Sequence, residues 1–264
     1  MRELIIVEGL PCSGKSSAAR HIAEKFNMRC FDEDSGAHPA DYEFHAFVQM
    51  SELEKLSYDE QSEIIEKSER KAGGVIVSLS KFRGDLFDKL IRYKIYDFLP
   101  WETEKPVMLG KWREFSENKK PDEKYVFNCV LLQNPMCETM MRFNFSIDRS
   151  RAYIGEICGI IKSMSPLLVY LKNDNIADSV KRAVNERGND WLSAVIDYHC
   201  NGAYGRSKRL GGFDGYISAL EERQHRELTI LSEIDIESIV LNNPQTDWQA
   251  AYRTLDKILA QGFA

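Results

Sequence analysis

Leu4-Ile5-Ile6-Val7 is a short apolar run rich in β-branched residues, the pattern of a buried strand. Behind it Ala19, Ile22, Ala23 and Phe26 recur at helical spacing. The chain therefore opens as strand, turn and helix over residues 3–7 and 15–26. Met28-Arg29-Cys30-Phe31 predicts a second strand, which runs into the acidic cluster Asp32-Glu33-Asp34 and a loop marked by Gly36, His38 and Pro39. The pattern then changes. Residues 42–48 predict a strand, 51–71 a polar helix with sparse anchors at Leu53, Leu56, Ile64 and Ile65, and 75–79 a further strand after the Gly73-Gly74 break. Helices are expected over 85–93 and 107–115. A buried strand over 125–132 is closed by Gln133-Asn134-Pro135, and helical segments follow at 136–143 and 149–163. Residues 166–171 make a fourth strand and 236–241 a fifth. Between them lie helices marked by Ile176, Val180 and Val184, by residues 191–198, and by Ile217, Leu220, Leu228 and Leu231. Tyr252, Leu255 and Leu259 mark the last helix.

Strands separated by helices imply an α/β fold with a mostly parallel five-stranded core sheet and helices on both faces. Residues 36–123 interrupt that alternation. They are expected to be a helical and β-ribbon insertion on the substrate side of a single domain spanning 1–264, and about 174–212 a lid. Ligands of such sheets sit beyond the carboxyl ends of the strands. The turn after the first strand, the acids after the second and Gln133-Asn134 all fall at that edge.

Composition narrows the classes. A net charge of −6 argues against a general nucleic-acid binder, whose backbone contacts need excess Lys and Arg. No apolar stretch approaches the length of a membrane span, and no secretory leader is evident, since Met1-Arg2-Glu3 runs straight into a strand. The six cysteines are scattered, without metal-ligand spacing, which fits a reducing cytoplasm. Cys30 and Cys129, in strand-like runs, are expected as small buried hydrophobes.

The turn between the first strand and helix is Gly9-Leu10-Pro11-Cys12-Ser13-Gly14-Lys15-Ser16-Ser17, a match to G-x-x-x-x-G-K-[ST]. Small residues let such a loop curl its N–H groups around a polyphosphate, and the following helix adds its unpaired amides and positive dipole end. Gly9, Pro11, Cys12, Ser13, Gly14, Lys15, Ser16 and Ser17 are the expected nucleotide-binding residues. Lys15 would reach the β- and γ-phosphates, and the Ser16 hydroxyl would hold Mg²⁺. Cys12 is either a low-pKa thiol at a helix start or a tolerated small residue. With strand, loop and helix in place the chain resembles the P-loop NTPases, which implies a three-layer sandwich.

Three kinds of P-loop protein compete. A GTPase would carry N-K-x-D after a core strand; Lys172-Asn173-Asp174 has the wrong order and is expected to be a turn with helix-capping residues. A motor or transport ATPase would end a core strand in a metal-binding acid, where this chain has Gln133-Asn134. In layout the chain is similar to the nucleoside and nucleotide kinases. That resemblance implies an acid after strand two that engages the acceptor, and arginines after strand four that clamp the phosphates. Carried onto this sequence, Glu33 is the candidate base, with Asp34 and Asp32 behind it. Arg182 and Arg187 are the candidate lid pair, although Arg182 could equally pair with Glu186 at i,i+4. Ser146 is expected to cap the helix that carries Asp148-Arg149-Ser150. The implied activity is ATP- and Mg²⁺-dependent transfer of phosphate to a small-molecule hydroxyl or phosphate acceptor. The alternatives are a nucleotide-binding regulatory ATPase and a non-catalytic P-loop interaction protein.

Overall fold

The computed structural model describes residues 2–33 and 36–263. In chain order the elements are β1 (Leu4–Gly9), α1 (Lys15–Phe26), β2 (Arg29–Phe31), β3 (His45–Gln49), α2 (Tyr58–Glu66), β4 (Ser68–Lys71), β5 (Gly74–Ser78) and α3 (Trp101–Asn118). There follow β6 (Tyr125–Asn128), α4 (Ile147–Ile161), β7 (Leu167–Lys172), α5 (Ile176–Arg187), α6 (Asn189–Cys200), α7 (Gly212–Leu231), β8 (Glu237–Asn242) and α8 (Trp248–Phe263), with shorter helical turns between. The chain divides into two compact units, Met1–Asp32 with Ser116–Ala264, and Glu33–Phe115.

The larger unit is built on a five-stranded sheet in the order β2-β6-β1-β7-β8, every pair parallel. Strands this apolar on both faces must be covered on both. Ile5, Val7, Val126, Val169 and Leu171 pack against Ala18, Ala19, Ile22 and Ala23 of α1 and Leu255 and Leu259 of α8. Side chains alternate along a strand, so Tyr170 points to the other face, where its hydroxyl donates to Glu227 of α7. This is the three-layer α/β fold with its phosphate loop between β1 and α1. The smaller unit holds a three-stranded antiparallel sheet, β3-β5-β4. Ala46, Val48, Val75 and Val77 on one face of it form a core with Leu53, Ile64 and Leu90.

The expected elements hold with some corrections. The helix expected over 51–71 breaks into a short turn at Met50–Leu53 and α2 at Tyr58–Glu66, the latter started by a reciprocal Ser57/Glu60 capping box, and residues 68–71 instead pair with β5. Helix propensity there is overridden by a strand partner close in sequence. The strand expected over 125–132 stops at Asn128, because Cys129 takes a left-handed φ of 54° and turns the chain out of the sheet. Ser146 does cap α4, accepting from the Arg149 amide at 3.4 Å. Cys129 is buried and Cys30 half-buried, and all six cysteines are free thiols. Among the described residues no helix is long and apolar enough to cross a membrane.

Candidate functional site

β1 delivers the chain to Gly9 at φ +145°. A Cβ there would lie 2.7 Å from the Leu171 carbonyl oxygen and 2.8 Å from Ser13 Oγ, so only glycine fits. The loop curls through Cys12 at φ +65° and is closed by the Ser13 amide donating to the Leu10 carbonyl at 3.2 Å. Gly14, at φ +89°, precedes α1, and no side chain caps the helix. The amides that open α1 are thus left without a side-chain acceptor, the arrangement that receives an anion. Lys15 is buried, and its Nζ donates to the Leu10 carbonyl at 3.0 Å, curled within the same loop. Pro11 and Cys12 are half-buried, Ser17 is exposed and Ser16 lies half-buried at the first turn of α1.

Ser16 is joined to the neighbouring strands. Asn128, the last residue of β6, places its Nδ2 3.0 Å from Ser16 Oγ and 3.1 Å from Asp32 Oδ1. The Asp32 carboxylate fixes the sense of the amide, since only the NH₂ group can face it. Arg20 of α1 holds the other oxygen of Asp32, at 2.9 Å from Nη2 and 3.1 Å from Nε. Asn128 Oδ1 is buried and has no hydrogen-bond partner among the described residues. A serine hydroxyl and a carboxylate oxygen thus gather on the NH₂ side of Asn128, beside the phosphate loop, while the amide oxygen faces away from them. Magnesium takes oxygen ligands and is commonly held by one or two carboxylates plus substrate phosphates, so these residues fit the ion. Asp32 supplies the carboxylate of this group. Gln133 and Asn134 do not close the strand; they start the short helix Gln133–Met136.

Arg182 and Arg187 lie on α5, and the charge of each favours ionisation of the Cys12 thiol. Arg182 Nη2 donates to Ser179 Oγ at 2.9 Å instead of pairing with Glu186, and the Arg187 guanidinium lies 5.3 Å from the centre of the Trp191 ring. Burial raises the Cys12 thiol above its ordinary value, outweighing Arg187 and Lys15, so the low-pKa alternative does not hold. Leu10 packs among Ile176, Val180, Tyr216 and Leu220, which ties the loop to α5 and α7. Glu33 follows β2 and is exposed, the first residue of the smaller unit. Asp34 lies outside the described residues. Asn173 is fully buried and does more than cap: its amide N–H donates to Gln224 Oε1, its carbonyl accepts from Gln224 Nε2, and its Nδ2 donates to Ser179 Oγ, all at 2.9 Å.

Three residues escaped the sequence reading. Asn128 lies within an apolar run, and only its place at the strand's end gives it a role. Glu8, the residue before Gly9, is fully buried and accepts from the amides of Leu131 at 2.6 Å, Leu132 at 2.8 Å and Gln133 at 3.1 Å. A charge closing an apolar strand directly before a glycine loop was its available signal. Trp248 opens α8 and lays its indole on Gly14: a Cβ on that glycine would come 2.1 Å from Cζ2. Trp248 in turn stacks on Tyr252, and Tyr252 on His21. Gly14→Ala is therefore expected to cost about 2 kcal/mol, from φ strain and overpacking together. It should also displace the indole. Urea unfolding and tryptophan emission check this, with the added Trp248→Ala change relieving the overpacking but not the strain.

No protein-family model matches this chain, and no curated protein is similar to it in sequence. Among solved structures it is similar to a deoxyadenosine kinase from M. mycoides, at 14% identity over 98% of this chain and 99% of that one, with a TM-score of 0.47. It is also similar to the YorR protein of Bacillus subtilis in complex with phosphorylated GDP (12% identity, 98% and 97% of the two chains, TM-score 0.45). A third similar structure is thymidylate kinase from Candida albicans (12% identity, 99% and 92%, TM-score 0.44).

Proposed function

We propose that this protein is an ATP- and Mg²⁺-dependent phosphotransferase that moves the γ-phosphate of ATP to a hydroxyl or phosphate group of a small molecule. The observation that carries this reading is the convergence, at one edge of the parallel sheet, of the uncapped start of α1, the Lys15 ammonium and the oxygens of Ser16 and Asp32, joined through the Asn128 NH₂. The loop amides and Lys15 would bind the β- and γ-phosphates. Ser16 and Asp32 would hold Mg²⁺, which when bound neutralises charge on the phosphate oxygens. Asp32 also keeps the Asn128 amide in one orientation, with its NH₂ group toward Ser16 and the carboxylate. Arg182 and Arg187, planar and always charged, would stabilise the charge spread over the moving phosphoryl group. Glu33 would take the proton from the acceptor hydroxyl.

The test is a screen of hydroxyl compounds, including nucleosides, nucleotides, sugars and aminoglycoside-type antibiotics, for ATP-dependent gain of phosphate. Transfer to one class supports the reading. ATP turnover that no acceptor accelerates would identify a regulatory ATPase, and neither transfer nor turnover would leave a non-catalytic P-loop protein. With an acceptor in hand, Glu33→Ala is expected to lower transfer about 10²–10⁴-fold and leave ATP affinity unchanged. Equal loss of ATP affinity would remove Glu33 from the role of base.

A further inference from the structure

The smaller unit contains a cavity of about 330 Å³. It lies on the face of the β3-β5-β4 sheet that the apolar core leaves uncovered. Ala46, Val48, Val75 and Val77 point into the core, so the pleat turns His45, Ile76, Ser78 and Glu69 the other way, and these four line the cavity. A solvated sheet face of this kind is ordinarily polar and open. Here it is walled on part of its circumference by Lys111 of α3 and the loop segment of His38 and Tyr42. Lys71, on the same face, is held to α3 by Glu114 at 2.8 Å.

The chemistry of the wall is unevenly satisfied. The Lys111 side chain is only 17% exposed, and its ammonium makes no hydrogen bond among the described residues. It lies 4.8 Å from the centre of the Tyr42 ring and 3.9 Å from Glu114, a carboxylate that Lys71 already engages. Three charged donors are thus largely withdrawn from water with an ion pair and a ring face nearby but no hydrogen-bond acceptor among the described residues, which is costly unless something else receives them. Two imidazoles stand beside it. Burial and the Lys111 charge push His38 down to about 3 and His45 to about 4, so both are neutral. His38 Nδ1 accepts from the Ala40 amide at 3.2 Å, which puts the ring proton on Nε2 as a donor. His45 Nδ1 is buried with no partner among the described residues.

The acids at this wall are otherwise engaged or outside it. Asp41 accepts from the Tyr96 hydroxyl at 2.5 Å, Glu69 pairs with Lys71, and Glu66 is exposed. Lys67 pairs with Glu63 at 2.6 Å, and Lys81 donates to the Lys67 carbonyl at 3.2 Å. The unmet capacity is therefore donor capacity centred on one ammonium. A metal cation is the wrong occupant, since no cluster of three His, Cys, Asp or Glu residues suited to a metal exists among the described residues.

We propose that this cavity is a second small-molecule site, sharing no residue with the phosphate loop, that takes a ligand bearing an oxyanion, with the anionic group on the Lys111 ammonium and the imidazoles of His38 and His45 alongside. The site stands on the cavity's own residues and does not depend on the phosphotransfer reading. Its volume exceeds that of a bare phosphate, so the anionic group would be one end of a larger polar molecule.

The test uses the full-length chain carrying Lys15→Ala, so that the phosphate loop contributes least, with inorganic phosphate and acetate as separate probes in calorimetric titrations. Saturable binding of at least one probe is expected, weakened about tenfold or more by Lys111→Gln and recovered in part by Lys111→Arg. In the chain with Lys15 intact, Lys111→Gln should leave the affinity for a non-hydrolysable ATP analogue unchanged. A second measurement needs no variant at position 111. The rate of Lys111 acylation by acetic anhydride, followed by peptide mass spectrometry, should fall when the bound probe is present. Binding that is indifferent to Lys111→Gln, an acylation rate the probes do not change, or no saturable binding of either probe would overturn the proposal. A loss of ATP-analogue binding with Lys15→Ala alone bears on the phosphotransfer reading and leaves this site standing.

Discussion

Lys15→Ala is expected to lower phosphate transfer by about three orders of magnitude, the scale set by removing a preorganised charge from the transition state of a buried site. Its effect on folding should be small. The ammonium is buried with one hydrogen bond, to the carbonyl of Leu10. Removing a charge held against desolvation forfeits that bond and relieves the cost of keeping the ion from water. The loop itself is shaped by Gly9, Gly14 and the Leu10–Ser13 bond, none of which depends on the lysine side chain. The expected pattern is therefore an unfolding midpoint in urea close to that of the wild type, ATP affinity weakened, and transfer reduced beyond the loss of affinity. That split separates a charge acting on the moving phosphoryl group from one that only holds the nucleotide. Transfer unchanged in a folded Lys15→Ala protein would dismiss the loop as the reaction site. The wild-type protein with Asp32→Asn offers the complementary case, since it keeps the shape of the Ser16–Asn128–Asp32 chain but removes the one carboxylate charge. Transfer should then demand higher Mg²⁺ at unchanged maximal rate.

The parts of this site that the sequence made legible are those encoded locally. The loop lies within nine consecutive residues, flanked by a strand of apolar side chains and a helix with its stripe at Ala18, Ala19, Ile22 and Ala23, so spacing alone places Lys15 and Ser16. The five core strands are similarly legible because each is a short apolar run bounded by polar turns. What escaped depends on register between distant segments. Asn128 meets Ser16 because β6 lies beside β1 with Val7 opposite Asn128, and no pattern within residues 125–132 reveals that the strand ends there. Asp32 and Glu33 are adjacent and equally acidic, yet only Asp32 reaches Asn128, a choice made by where β2 stops against β6 at Phe31. Trp248 sits far along the chain from Gly14 and meets it only because α8 packs on α1. The same limit applies to β4: residues 68–71 carry the polar pattern of a helix end and become a strand because β5 is available a few residues on.

Glu8 supports the largest expected effect on stability. Its carboxylate stands in an apolar strand and serves three backbone amides of the turn after β6. Glu8→Ala would leave those donors buried with nothing to receive them, at about 3–5 kcal/mol, which is a large share of what holds a domain together. The wild-type group also titrates. Burial, helped by the nearby Glu227 charge, raises it from 4.5 to about 7, against the opposing pull of the amide bonds. A carboxyl with a folded pKa above its unfolded one takes up a proton on folding between the two values. Its contribution to stability is therefore full below about 4.5 and is lost as pH rises through about 7. Glu8→Gln removes the titration while keeping one carbonyl oxygen for the Leu131 and Leu132 amides. Its amide NH₂ would then face the Gln133 N–H, a donor against a donor, so the variant is less stable than the wild type at low pH. Between pH 4.5 and 8 the wild type should lose stability relative to Glu8→Gln by on the order of 3 kcal/mol, read from urea midpoints across that range without nucleotide. Parallel pH profiles for the two proteins would mean that Glu8 stays ionised in its cradle, with the three amide bonds outweighing burial.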